Sequence, residues 1–151
     1  MGIAGCLACD LADGRTPLPG GVIHETGHWL VEHCVGPLGV GTLIVKPRRH
    51  VVHLWELDEN ESRELGPLLT DTAAVVAELA QPDQVYVCQW SHKDGVPVHI
   101  HFVVQPMTRE TRDRHGGAAH AQAAMFDSGE LPPAAEVESF ASRAREAFGA
   151  R

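Results

Sequence analysis

Three short runs in the first third of the chain, Val22 to His24, Trp29 to Val35 and Val40 to Val45, are rich in β-branched and aromatic residues. Thr26-Gly27 separates the first two, and Gly36-Pro37 with Gly39 the last two. Short apolar runs bounded by turn formers predict strands, here three in mutually antiparallel order. The period then changes. Leu65, Leu68, Leu69, Thr72, Val75, Val76 and Leu79 fall on one helical stripe, and Asp58 with Glu61 offers a capping box at its start. This predicts the principal helix, kinked locally at Pro67.

Two further strands are predicted at Gln84 to Gln89 and Val96 to Val104, joined as a hairpin by the polar tip Ser91-His92-Lys93-Asp94-Gly95. After Pro106 the chain turns polar, and weaker helical signals return at Ala118–Phe126 and Ala134–Phe148. Strands with helices between and after them, without βαβ alternation, predict an α+β fold: an antiparallel sheet, a main helix after the third strand and C-terminal helices. The 151 residues fit a single domain. Residues 1–20 read as an entry segment, with a tight cysteine turn followed by a loop dense in Asp, Gly and Pro, so that the packed part begins near Gly21. Residues 107–151 read as a C-terminal extension that either packs or forms a lid.

Composition narrows the function. With 44% hydrophobic and 21% charged residues the chain is globular rather than disordered. No apolar stretch approaches the roughly 18 residues of a membrane span. The amino terminus lacks a basic segment followed by an apolar one, so a cytoplasmic location is expected. Twenty acidic against twelve basic residues give a formal charge of −8, which disfavours binding nucleic acid through its phosphates.

In a reducing compartment four cysteines are thiols or metal ligands. Cys34 and Cys88 lie in apolar strand runs, whereas Cys6 and Cys9 share the Cys-x-x-Cys spacing that supplies two zinc ligands from one turn. Two ligands must then come from elsewhere. His50, closing Lys46-Pro47-Arg48-Arg49-His50, and His99 are the candidates for a Cys₂His₂ site. On an extended strand His99, His101, Val103 and Gln105 share one face, with Ile100, Phe102 and Val104 on the other. One histidine can therefore hold metal while its neighbour meets substrate, although buried histidines are also found satisfied by backbone carbonyls. Neutral imidazole attacks phosphorus directly, which makes His101 the candidate nucleophile.

With these residues in view, the chain resembles the histidine triad family of nucleotide hydrolases and transferases, including its zinc-binding, galactose-1-phosphate uridylyltransferase-like relatives. The resemblance runs from about Cys6 to Pro106. It rests on Cys6-Leu7-Ala8-Cys9, on Gly41 to His50, on Leu57-Asp58-Glu59-Asn60-Glu61 and on Gln89 to Pro106 with its His-x-His core. It implies a covalent nucleotidyl-histidine intermediate on His101, formed at an α-phosphate of a dinucleoside polyphosphate or nucleoside phosphoramidate. It also implies structural zinc on Cys6, Cys9, His50 and His99, and a homodimer.

By the same resemblance Gln89, six residues before Gly95, contacts the phosphate or leaving group. Lys93, Gly95, Trp90 and Gln105 are placed with substrate, and Glu32 is a candidate for the ribose-binding acid. The departures are specific: Val103 replaces the third histidine, Pro106 is followed by Met107, and Thr42 follows Gly41 where the family has histidine. A register matching Pro97, His99 and His101 to the triad would instead make His99 the nucleophile. A non-catalytic nucleotide-binding or interaction protein of the same fold is the alternative function.

Overall fold

The computed structural model describes residues 2–89, 91 and 97–151. Trp90, Lys93 and Gly95, three of the residues placed with substrate, lie outside the described residues, as does most of the hairpin tip. The elements are α1 (Leu7–Ala12), β1 (Val22–Glu25), β2 (Trp29–His33), β3 (Leu43–Pro47), a 3₁₀ turn (Leu54–Glu56), α2 (Glu59–Ala80), β4 (Gln84–Gln89), β5 (Phe102–Met107), α3 (Arg109–Arg114), α4 (Ala118–Ser128) and α5 (Ala134–Gly149). The fold is α+β, as expected. The five strands form one antiparallel sheet in the order β1-β2-β3-β5-β4.

Alternation along the strands divides the sheet into two faces. Trp29, Val31, Leu43, Val45, Phe102 and Val104 point to one side and make the main core with Leu68, Val75 and Val76 of α2 and Phe140, Ala144 and Phe148 of α5. The last three show that the C-terminal segment closes the core rather than hanging from it. Gly41 sits at φ +90°, and a Cβ there would come within 3.1 Å of the Phe140 ring, so glycine is needed for both its conformation and its size.

The other face is different in kind. It carries Glu32, Ile44, Lys46, Val103 and Gln105, with a smaller apolar cluster of Cys34, Leu38 and Val103. This is the face on which the candidate site is built.

Four boundaries differ from expectation. The cysteine segment is a short helix rather than a tight turn, although the expected loop does follow it from Asp13; Cys9 and Leu11 are buried, so packing begins well before Gly21. Six residues are too few to show a helical period, and α1 owes its form to burial. Strand β3 starts at Leu43 rather than Val40, because Thr42 is held beside Leu38 (Oγ1 to carbonyl, 2.7 Å) as the loop closes. The last strand begins at Phe102 rather than Val96, since the ladders to both β3 and β4 end at Phe102. The polar stretch after Met107 contains α3, capped by Thr108 Oγ1 accepting from the Thr111 amide at 3.0 Å.

Helix α2 has the expected capping box. Asp58 Oδ1 accepts from the amides of Asn60 and Glu61, both at 2.8 Å, and Glu61 Oε2 accepts from the Asp58 amide at 2.8 Å. Glu61 also takes a two-point bond from Arg49, at 3.0 and 2.7 Å, which anchors the turn leading to His50. That Arg49 pairing, with the Asp58 amide, holds the Glu61 carboxyl below its usual range. Its stabilising effect is therefore complete above the unfolded carboxyl pKa of about 4.3 and is lost as pH falls through the lower folded value. In Glu61→Gln the acid limb of a stability-versus-pH curve is expected to flatten while stability at pH 7 falls; an unchanged acid limb would remove Glu61 from this role.

Candidate functional site

Two segments without regular structure meet beside α1. The chain leaving β3 at Pro47 turns through Arg48 and Arg49 to His50, and the chain entering β5 runs from Pro97 to His101. The Ile100 amide donates to the Val51 carbonyl at 2.8 Å and ties the two together. Helix α1 packs over them, its Ala8 carbonyl accepting from Lys46 Nζ at 2.8 Å.

This brings Cys6, Cys9, His50 and His99 together, with one donor atom from each lying within 4.8 Å of all the others. Cys9 Sγ stands 3.3 Å from His50 Nδ1 and 3.4 Å from His99 Nδ1, and Cys6 Sγ is 3.8 Å from His99 Nδ1. Ligands on a tetrahedral zinc, at ordinary Zn–S and Zn–N lengths, are separated by about 3.4–3.8 Å. The donor set and its spacing fit that ion. His99 Nε2–H donates to the Pro47 carbonyl at 2.9 Å, which fixes the tautomer and leaves the Nδ1 lone pair facing the thiols. Burial pushes the His99 pKa down to about 4, keeping the ring neutral, and pushes the Cys9 thiol up. Burial thus keeps His99 in the neutral form that offers a lone pair to a metal, whereas Cys9 would have to give up its proton on binding one.

His101 is held in the opposite tautomer. Its Nδ1–H donates to the His99 carbonyl at 3.0 Å, leaving the lone pair on Nε2. The ring is half-buried, and burial lowers its pKa, so it is neutral near pH 7. Both histidines thus use one nitrogen on a backbone carbonyl, and each keeps the other for chemistry. With its two nitrogens directed at Pro47 and at the thiols, His99 has no free edge for substrate; His101 does.

His101 borders a cavity of about 410 Å³ whose walls include Leu7, Leu11, Cys34, Ile44 and Phe126. Its volume lies in the range of small-molecule sites. Glu32 and Lys46 also line it. They sit diagonally across the β2–β3 ladder and form an ion pair of 2.7 Å with both side chains almost wholly buried. Lys46 is therefore not a solvated surface charge. The signal in the sequence was a single acid and a single base, each in the middle of an apolar strand.

The remaining candidates are dispersed. Gln89 is exposed and donates to Ser91 Oγ, which reaches the cavity. Gln105 is fully buried, its amide donating to the Leu38 carbonyl at 3.1 Å and its oxygen accepting from Gln122 at 2.8 Å, so this side chain serves the packing behind the site. Val103, at the position of the absent third histidine, packs with Cys34 and Leu38. Among the described residues the four cysteines are unbridged, and no helix is long and apolar enough to cross a membrane.

The fold is that of the histidine triad proteins. A Hit-like protein involved in cell-cycle regulation from Bartonella henselae superposes with a TM-score of 0.73 at 17% identity, covering 97% of this chain and 98% of its own. A hypothetical histidine triad nucleotide-binding protein from Sulfolobus tokodaii gives 0.73 at 15%, covering 96% and 93%. A zinc-bound histidine triad family protein from Mycobacterium smegmatis gives 0.68 at 19%, covering 96% and 94%. The sequence matches no family model and no curated protein.

Proposed function

We propose that the chain is a zinc-holding histidine triad protein, of the branch resembling galactose-1-phosphate uridylyltransferase, that hydrolyses or transfers a nucleotidyl group through His101. The observation that carries this reading is the opposed tautomers of His99 and His101: His99 Nδ1 is offered to the thiol cluster, while His101, which lines the cavity, keeps the lone pair on Nε2. The zinc-bound relative with the same fold supports the metal. Four protein ligands leave no open position, so zinc on Cys6, Cys9, His50 and His99 braces the segment and supplies no activated water.

His101 Nε2 attacks the α-phosphorus of a bound nucleotide. The bond from Nε2 to phosphorus forms as the bond to the leaving group breaks, P–O in a dinucleoside polyphosphate and P–N in a phosphoramidate, whose amine departs with a proton from solvent; the positive charge developing on the ring is shared with the His99 carbonyl through Nδ1–H. Water or another acceptor then attacks phosphorus, the N–P bond breaks, and His101 returns to its neutral form. Gln89, bonded to Ser91 at the cavity, is the proposed contact to the phosphate or leaving group. Dinucleoside polyphosphates and nucleoside phosphoramidates are the proposed substrates, a cytoplasmic homodimer the proposed setting, and nucleic acid is not a partner. Brief incubation with a nucleotide labelled at the α-phosphate, followed by alkaline denaturation, is expected to leave acid-labile label on His101. Label on another residue would overturn the assignment.

A second reading, binding without turnover, draws on Val103, whose apolar packing leaves that position without a polar group for the phosphate. It requires nucleotide affinity with no His101-dependent release.

A further inference from the structure

The buried pair in the cavity wall is incompletely used. Glu32 Oε1 is bonded to Lys46 Nζ at 2.7 Å, while Oε2 is buried and has no hydrogen-bond partner among the described residues. Lys46 has given two of its three N–H donors, one to Glu32 and one to the Ala8 carbonyl. A buried carboxylate oxygen without a donor is costly, and native proteins seldom leave one in that state. Burial raises the Glu32 pKa despite the adjacent ammonium, in keeping with a carboxylate short of donors.

Glu32 and Lys46 both line the cavity, so this unfilled acceptor bears on what enters it. Glu32 neutralises Lys46, so the pair does not attract phosphate, and its unfilled acceptor repels one. The anionic end of a nucleotide belongs at His101, and the end that meets Glu32 must bring a hydrogen-bond donor. Around the pair the wall is apolar, from Leu7, Leu11, Ile44 and Phe126, and suits the faces of a planar ring.

We propose that Glu32, held in place by Lys46, is the specificity-determining residue of the cavity and accepts a hydrogen bond from an amino group on the nucleobase. This rests on the functional reading above and adds to it: the site distinguishes bases by a donor at their edge, and does not merely enclose them between apolar side chains. The third N–H of the Lys46 ammonium, whose other two go to Oε1 and the Ala8 carbonyl, would match a ring nitrogen adjacent to such an amino group, as in adenine.

The test uses two probes of nearly the same shape, adenosine 5′-monophosphate and purine riboside 5′-monophosphate, which lacks only the amino group. Titration calorimetry on the zinc-loaded protein is expected to show the amino-bearing nucleotide bound about tenfold or more tightly, the effect of leaving a charged acceptor unpaired. Because Glu32→Leu alone would strand Lys46, the comparison is made with Glu32→Leu/Lys46→Met, in which an apolar pair replaces the ionic one and the fold is retained. Thermal unfolding checks that retention. In this variant the two probes are expected to bind equally. Equal binding by the wild type, or discrimination persisting in the folded double variant, overturns this inference and leaves the functional reading standing. Binding of neither probe to the wild type overturns both.

Discussion

Replacing His101 with alanine is expected to slow nucleotidyl release by at least about 10³-fold, which corresponds to about 4 kcal/mol of barrier. His99, the other imidazole lining the cavity among the described residues, has both nitrogens directed elsewhere, and Val103, at the position of the third histidine, has no polar atom. The same variant is expected to bind nucleotide within a few-fold of wild type, because the walls that enclose the ligand are untouched. Release of adenosine 5′-monophosphate from a phosphoramidate or diadenosine polyphosphate measures the first, and calorimetry the second. A variant that turns over at the wild-type rate would exclude His101 as nucleophile. A wild type that binds without any release would establish the binding module instead.

Loss of the metal is the second large effect. Purified protein is expected to hold one zinc per chain, and Cys9→Ser or His99→Ala to lose it, as measured by elemental analysis. Zinc at a thousandfold excess over its dissociation constant stabilises by about 4 kcal/mol. For a chain of this length that amounts to roughly 8–16 °C in Tm, the drop expected on chelation or in either variant. Activity is expected to fall with it, mainly through weaker substrate binding, because α1 carries two ligands on Cys6 and Cys9 and also supplies Leu7 and Leu11 to the cavity wall. A folded, active protein purified without metal and indifferent to chelator would remove the quartet from the account.

Most of the sheet and the long helix were legible in the sequence because their patterns are local. Leu43 to Val45 and Phe102 to Val104 are short runs of β-branched, aromatic and other apolar residues of the kind strands use, and Asp58 with Glu61 announces the start of α2. The candidate metal residues were legible for another reason: thiols and imidazoles are few, and their spacings are restrictive. What could not be read was set by contacts between distant segments. Helix α1 is too short to have a period and takes its form from the surface it covers. The run of Val96 to His101 reads as strand in the sequence, yet its described part, from Pro97, has no ladder partner among the described residues until Phe102. Glu32 and Lys46 sit 14 positions apart, and only the register of β2 against β3 makes them a pair.

The four residues that converge beside α1 come from positions 6, 9, 50 and 99, so the cluster joins the start of the chain to the segment that leads into β5, the strand between β3 and β4. Closing so long a loop has an entropic cost that grows with its length, and the cost is met only after β2, β3 and β5 have aligned. In refolding, the sheet is expected to assemble before the amino-terminal cysteines dock, with zinc, if held by this quartet, captured late. A nascent chain stalled before position 99 would carry its thiols unprotected.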